Sequence, residues 1–324
     1  MHPPEPLPRA LLAYEDPAFL NSPDGRIIRI LSEYSEPLAR FRREHIRDAV
    51  VFFGSARFQS RDAVLAANSA ASSDAHAADK CAAESAHAAS IELLANQGSL
   101  ERAAEDQQPR PEQRVEAALA MAHYYDAARR LAYLHTQWAK TLYDPAQGGH
   151  HRFVVCSGGG PGIMEAANRG AWEAGGKSIG LNIRLPFEQC PNLYITPELS
   201  FDFHYFFMRK YWFAYLAKAL VVFPGGFGTL DELFEILTLA QTGKLDKNIP
   251  VILFGRSYWE RILNIEDLAE AGAISTRDHK LFTFADTPED AFALLQSSLQ
   301  QFHLNAEPAQ DSEYLAPEIA HTRR

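Results

Sequence analysis

The chain has 324 residues, 47% of them hydrophobic and 22% charged, which suits a globular protein with a sizeable core. A formal net charge of −10 argues against a general nucleic-acid binder, although local N–H groups and arginines can still hold a small anion. No apolar run reaches the ~18 residues of a membrane span, Met1-His2-Pro3-Pro4-Glu5-Pro6 lacks the features of a signal peptide, and Cys81, Cys156 and Cys190 are too few and too scattered for a disulfide framework or zinc knuckle, so the sequence reads as cytoplasmic.

Residues 1–48 are punctuated by proline and then helical in pattern (Leu31, Tyr34, Leu38, Phe41), as an N-terminal extension packed on a main domain. That domain is expected over residues 49–300. It opens with the strand Ala49-Val50-Val51-Phe52-Phe53 and its loop Gly54-Ser55-Ala56-Arg57. From about 60 to 111 the composition turns to Ala, Ser, Asp and Glu, which buries little surface per ordered residue and reads as an insertion, partly helical or partly disordered. His76 and His87 within it have no metal-ligating partner at i+4 and read as a solvated face. Residues 111–143 are helical in pattern, with at least one break expected because globular helices rarely run to about thirty residues.

Alternating units follow: a strand at Phe153-Val154-Val155-Cys156, a helix from Ile163, a strand at Ser178-Ile179-Gly180-Leu181 and a short strand near Tyr194-Ile195. Next come an aromatic helix over residues 201–213, the strand Ala219-Leu220-Val221-Val222-Phe223, a helix to Gln241 and the strand Pro250-Val251-Ile252-Leu253-Phe254. A helix from Tyr258 to Ala269, a short strand at Phe282-Thr283-Phe284 and a helix from Pro288 complete the domain, and residues 301–324 form a loose polar tail. Strands alternating with helices imply an α/β, Rossmann-like, doubly wound and mostly parallel sheet with helices on both faces.

Two glycine clusters stand where such a sheet binds ligands: Ser157-Gly158-Gly159-Gly160-Pro161-Gly162 and Pro224-Gly225-Gly226-Phe227-Gly228-Thr229-Leu230-Asp231-Glu232. Glycines admit a ligand close to the main chain, and the following helix N-terminus favours negative charge, so a phosphate is the expected guest. With Gly54 and Ser55 there are three such loops. The dinucleotide fingerprint fails, because Ile163 and Asp231 occupy its last glycine position. Residues 171–178 miss the first P-loop glycine and lie after a helix rather than a strand, so they read as a C-cap turn with a surface lysine, Lys177. Thr229-Leu230-Asp231-Glu232 fits a capping box, with Thr229 as N-cap and Glu232 reaching back to it, and equally fits carboxylates placed at an anion site. The pair Arg209-Lys210 sits amid aromatics and needs either a carboxylate such as Glu232 or Asp231, or an anionic ligand. Aromatics nearly all round that helix indicate burial on most sides and, through their excess, a subunit interface.

At these residues the chain resembles the Lonely Guy family, whose members are often mislabelled lysine decarboxylases. Pro224-Gly225-Gly226-Phe227-Gly228-Thr229-Leu230-Asp231-Glu232 meets its P-G-G-x-G-T-x-x-E motif. Gly158-Gly159-Gly160-Pro161-Gly162-Ile163-Met164 approximates its triple-glycine loop, and Arg209-Lys210 its basic pair. The resemblance covers residues 49–295 around the insertion and is closer to the larger bacterial members than to the small plant type. It implies a Rossmann-like phosphoribohydrolase that cleaves a purine nucleoside 5′-monophosphate, such as AMP or a cytokinin nucleotide, to free base and ribose 5-phosphate. Arg209 and Glu232 take the catalytic positions. Gly54, Ser55, Gly158, Gly159, Gly160, Met208, Lys210, Gly225, Gly226, Gly228, Thr229 and Asp231 are the expected substrate contacts. No cofactor or metal is implied, pyridoxal phosphate included, and a homo-oligomer of two or more copies is. The alternative is a nucleotide-sensing module that keeps the pocket without significant catalysis. A purely structural oligomer would leave the three glycine loops unexplained.

Overall fold

In a computed structural model of the chain, describing residues 9–72, 111–185, 190–244 and 248–305, the apolar runs of the sequence become the strands of one sheet. The elements in chain order are α1 (Pro17–Asn21), α2 (Arg26–Arg43), β1 (Ala49–Phe53), α3 (Arg61–Ser72), α4 (Pro111–Lys140), β2 (Val154–Ser157), α5 (Ile163–Glu173) and β3 (Ser178–Ile183). Then come β4 (Ser200–Phe203), α6 (Phe206–Leu216), β5 (Ala217–Val222), α7 (Phe227–Gln241) and β6 (Val251–Phe254). α8 (Arg256–Ile262), α9 (Ile265–Glu270), β7 (Thr283–Ala285) and α10 (Pro288–Leu299) follow. The seven strands pair in the order β4-β3-β2-β1-β5-β6-β7, and every pairing is parallel. The order reverses between β1 and β5, the position at which doubly wound sheets open a ligand crevice.

Both faces of the sheet are covered, which is why its strands are apolar without alternation. Ala49, Val51 and Phe53 of β1, Val154 and Cys156 of β2, and Val251 and Leu253 of β6 point into one core. Phe41 of α2, Trp212 and Phe213 of α6, Leu233 and Ile236 of α7, and Trp259 of α8 complete it. Val50, Phe52, Val155, Ile252 and Phe254 point the other way, onto α4, α5 and α10. The N-terminal extension packs on the first layer. The Glu33 carboxylate accepts the backbone N–H groups of His204 (2.8 Å) and Tyr205 (3.2 Å) at the start of α6, and the Trp212 indole donates to the Glu33 carbonyl at 2.9 Å.

Several expected boundaries move. There is no strand at Tyr194-Ile195; the edge strand is β4, and the aromatic segment divides into that strand and α6. Phe201 and Phe203 are buried on β4 and Asp202 is exposed, the period of a strand rather than a helix. α4 is one unbroken helix of 30 residues, free of internal Pro or Gly and covered by α5 and α10 through Leu131, Ala132 and Ala139. The helix expected over 258–269 is two, because the Asn264 side chain caps α9 by accepting the Asp267 N–H at 3.4 Å. Burial of α6 is one-sided: Met208, Trp212, Phe213 and Leu216 are buried, whereas Phe206, Phe207 and Tyr211 are exposed. The turn after α5 uses Gly175 at φ +67°, as a C-cap requires, but Lys177 is no free surface lysine; it pairs with Glu44 at 2.9 Å. His76, His87, Cys81, residues 73–110 of the insertion and residues 306–324 of the tail lie outside the described residues, while α3 forms the start of the insertion.

Candidate active site

The loops after β1, β2 and β5 meet at the carboxyl edge of the sheet, beside the reversal in strand order, and main-chain hydrogen bonds join them. The Ser55 N–H donates to the Pro224 carbonyl and the Ile163 N–H to the Ser55 carbonyl, each at 3.0 Å. Gly162 requires its glycine: its φ is +69°, and a Cβ there would lie 2.5 Å from the Ser55 carbonyl oxygen. Gly54, Ser55, Gly158, Gly225 and Gly226 are therefore brought into one neighbourhood, as the sequence suggested.

The triple-glycine loop is held by a polar network that the motifs did not point to. Asn168, fully buried on α5, accepts from the Ser157 hydroxyl (2.7 Å) and from the Asn192 amide (2.9 Å), and donates to the Ile179 carbonyl at 3.2 Å. The Asn192 amide also donates to the Gly159 and Gly160 carbonyls at 3.0 Å each, and the Gly159 N–H donates to the Ser157 hydroxyl. A lone Asn among Ile163, Ala166, Ala167 and Ala171 was the available signal, since a buried amide needs partners.

Around the third loop, α7 starts two residues after Gly225. Gly226 is its N-cap, no side chain caps it, and its first intrahelical bond runs from the Leu230 N–H to the Gly226 carbonyl at 3.0 Å. The N–H groups of Phe227, Gly228 and Thr229 precede that bond and point out of the helix end, and a Cβ added at Gly226 or Gly228 would meet nothing within 4 Å. The main chain is open to a ligand there. Thr229 is not the N-cap expected from T-x-x-E. It lies inside the first turn, buried, with its hydroxyl 2.1 Å from where a Gly225 Cβ would sit. Tyr258 fixes the same loop from α8, its hydroxyl donating to the Gly225 carbonyl at 2.9 Å.

Arg209 and Glu232 reach this cleft from α6 and α7. Arg209 is mostly buried; its Nε donates to the Leu181 carbonyl at 2.9 Å, and its guanidinium lies 5.2 Å from the Phe213 ring centre. Its Nη2 is 2.8 Å from the position of a Gly158 Cβ, which seats it against the triple-glycine loop. A guanidinium has five N–H donors. Among the described residues Arg209 uses one of them and has no carboxylate within 4.0 Å, so the rest of the fork is free for an anion. Burial works against its charge and Glu232 supports it. The Glu232 side chain is buried too, and burial pushes its carboxyl up from an ordinary 4.5 to about 7, against the pull of Arg209 and Lys210. Lys210 and Asp231 are committed to each other: the ammonium contacts Asp231 at 2.7 Å and Glu235 at 3.1 Å, strapping α6 to α7. Met208 is buried in the core beneath the cleft.

These features define an α/β protein with open main-chain N–H groups at a helix start and a buried Arg/Glu pair, at the switch point of a parallel sheet. Residues 164–295 match the family described as "Possible lysine decarboxylase". Among curated relatives, "Probable cytokinin riboside 5'-monophosphate phosphoribohydrolase LOG6" of Arabidopsis thaliana is 28% identical, the match covering 46% of this chain and 73% of that one. "Cytokinin riboside 5'-monophosphate phosphoribohydrolase LOG4" of the same plant is also 28% identical, over 44% and 66%. Solved structures of a molybdenum cofactor binding protein from Rippkaea orientalis and a Moco carrier protein from Chlamydomonas reinhardtii align with TM-scores of 0.34 and 0.35. They are 23% and 21% identical, over 53% and 56% of this chain and 87% and 90% of theirs.

Proposed function

We propose that this chain hydrolyses the N-glycosidic bond of a purine nucleoside 5′-monophosphate, releasing the free base and ribose 5-phosphate. One observation carries the reading: a carboxyl lifted to about 7 by burial, next to an arginine with unused donors, at the meeting point of three glycine loops. The names of the curated relatives point to the same reaction class.

The exposed N–H groups of α7 and the open backbone at Gly226 and Gly228 receive the 5′-phosphate, with Gly225 and Thr229 shaping the turn. The bond between C1′ and the base nitrogen then lengthens, and positive charge grows on the ribose ring. Ionised Glu232 stabilises that oxocarbenium-like centre and hydrogen-bonds the ribose hydroxyls, holding water for attack on C1′. The water oxygen bonds to C1′ as the C1′–N bond breaks, Glu232 takes one of the water's protons, and solvent supplies the proton that the departing base nitrogen takes up, so that water is added across the bond once Glu232 returns its proton to solvent. Arg209 positions Glu232 and the substrate and stabilises the leaving base by hydrogen bonding. Lys210 and Asp231 keep α6 and α7 in register, so their part is to hold the cleft rather than to touch the reacting atoms.

We read the active form as a homo-oligomer. Phe206, Phe207 and Tyr211 of α6, Ile27 and Leu31 of α2, and Phe227 and Phe234 of α7 expose apolar side chains that a second copy would cover. Among the described residues no helix is long and apolar enough to cross a membrane.

The test is incubation with AMP, GMP, CMP and isopentenyladenosine monophosphate, with chromatography for free base and ribose 5-phosphate. Release from a purine substrate, lost by two or more orders of magnitude in Arg209→Ala, is the expected result. No release from any nucleotide together with tight binding of one would replace hydrolysis with the sensing role. Light scattering gives the assembly size, and a monomer at working concentration would refute the oligomer.

A further inference from the structure

At the opposite edge of the sheet, where β2 and β3 begin, lies a cavity of about 460 Å³. The end of α4 supplies Thr136 and Lys140, the following turn Tyr143, the entry to β2 His151 and Arg152, and the turn before β3 Lys177. Three cations on one cavity wall are notable in a chain of net charge −10. Two have carboxylate partners: Arg152 meets Asp48 at 2.7 Å and Lys177 meets Glu44 at 2.9 Å. Lys140 does not. Its ammonium donates to the Ala174 carbonyl at 2.9 Å and, among the described residues, has no carboxylate within 4.0 Å. Two of its three donors are left over.

Thr136 gives an independent indication. Its side chain lies on the cavity wall and the residue is only 5% exposed, yet among the described residues its hydroxyl has no hydrogen-bond partner. The hydroxyl is not among the fully buried side-chain polar atoms without a partner, so it opens onto the cavity and can donate to a guest there. The remaining wall is flat: the His151 ring stacks on Tyr143 with centres 4.8 Å apart and planes 23° from parallel. Burial, then the Lys177 charge, lowers the pKa of His151, so the ring presents a neutral face.

We infer that this cavity is a second binding site, for a small organic phosphate. Lys140 and Lys177 meet the phosphate oxygens, the Thr136 hydroxyl donates to one of them, and the organic part lies along the Tyr143–His151 stack. The volume falls within the range of small-molecule sites, ~300–1,000 Å³. None of these residues belongs to the cleft at the other edge, and the inference stands whether or not that cleft hydrolyses nucleotides.

Ribose 5-phosphate, ribose and inorganic phosphate are the probes, titrated into the full chain carrying isotope-labelled histidine, with the ring resonances of His151 as the readout. Ribose 5-phosphate should shift them saturably and ribose should not. Lys140→Ala and the isosteric Thr136→Val should each weaken that binding roughly tenfold with unchanged circular dichroism. Arg209→Ala should leave the His151 response intact, which separates this site from the other cleft. The inference is overturned by absence of a saturable shift up to about 10 mM, the range of the weakest specific sites. It is equally overturned by an unchanged affinity in both variants, or by inorganic phosphate binding as tightly as the sugar phosphate.

Discussion

Glu232→Gln should make the protein more stable and less active at once, and the gain in stability should depend on pH. Burial raises the Glu232 carboxyl from 4.5 to about 7. A raised folded-state value means that the folded form holds the proton more tightly, so this group's stabilisation is complete below about 4.5 and is lost as pH rises through about 7. At ~1.36 kcal/mol per pH unit, the difference amounts to about 3 kcal/mol at pH 8 and to about 1 kcal/mol at pH 5. Glutamine has the shape of the protonated acid and never ionises, so it avoids that cost. Urea denaturation followed by tryptophan fluorescence, at pH 5 and pH 8 and at one fixed protein concentration, reads the two gaps directly. The variant should exceed the parent by about 3 kcal/mol at pH 8, with the excess shrinking to about 1 at pH 5. An excess that does not change with pH, or a variant less stable than the parent at pH 8, would refute the claim that a desolvated Glu232 is strained by its own charge.

The same ionisation should appear in turnover: kcat/KM for the best nucleotide should rise with pH through a limb near 7, and that limb should vanish in Glu232→Gln even if residual activity can be measured. Gly158→Ala places a methyl 2.6 Å from the Met164 sulfur and 2.8 Å from Arg209 Nη2. The fold should survive, by circular dichroism, while displacement of the guanidinium lowers kcat by roughly tenfold or more. Lys210→Met removes the Asp231 and Glu235 contacts at a partly exposed position. Thermal and urea unfolding should show a loss of no more than about 1 kcal/mol, and a much larger one would mean that the strap between α6 and α7 carries more of the structure than its exposure implies.

How much of this was legible depended on whether one residue pattern had one meaning. Val50, Phe52, Val221 and Ile252 sit in runs too short and too β-branched for a buried helix, so the central strands stand where the sequence put them. Residues 201–213 satisfied both periods: aromatics fit every face of a helix, and only the exposure of Asp202 between Phe201 and Phe203 separates β4 from α6. T-x-x-E misled for a related reason. The capping pattern is a real preference, but here the chain turns helical at Phe227, so Thr229 is already inside the helix and the N-cap is a glycine without a side chain. That difference matters, because a threonine cap would have satisfied one of the donors that the α7 terminus now presents. The contacts of Asn192 with the Gly159 and Gly160 carbonyls span more than thirty residues and leave no trace in local spacing.

The unbroken α4 has a mechanical consequence. By Tyr124, which touches Gly255 and Phe254 beyond and at the end of β6, and Tyr125, whose hydroxyl donates to Glu165 in the first turn of α5, the helix has already reached the edge of the sheet that holds the glycine loops. Residues 111–123 continue the same helix for about 20 Å beyond that point, at ~1.5 Å per residue, with Ala122 buried and Met121 packed on the core. The opposite end of the same rod, at Thr136 and Lys140, stands over the cavity. A load on residues 111–123 from a second copy of the chain would be transmitted along a single stiff lever to the wall of that cavity.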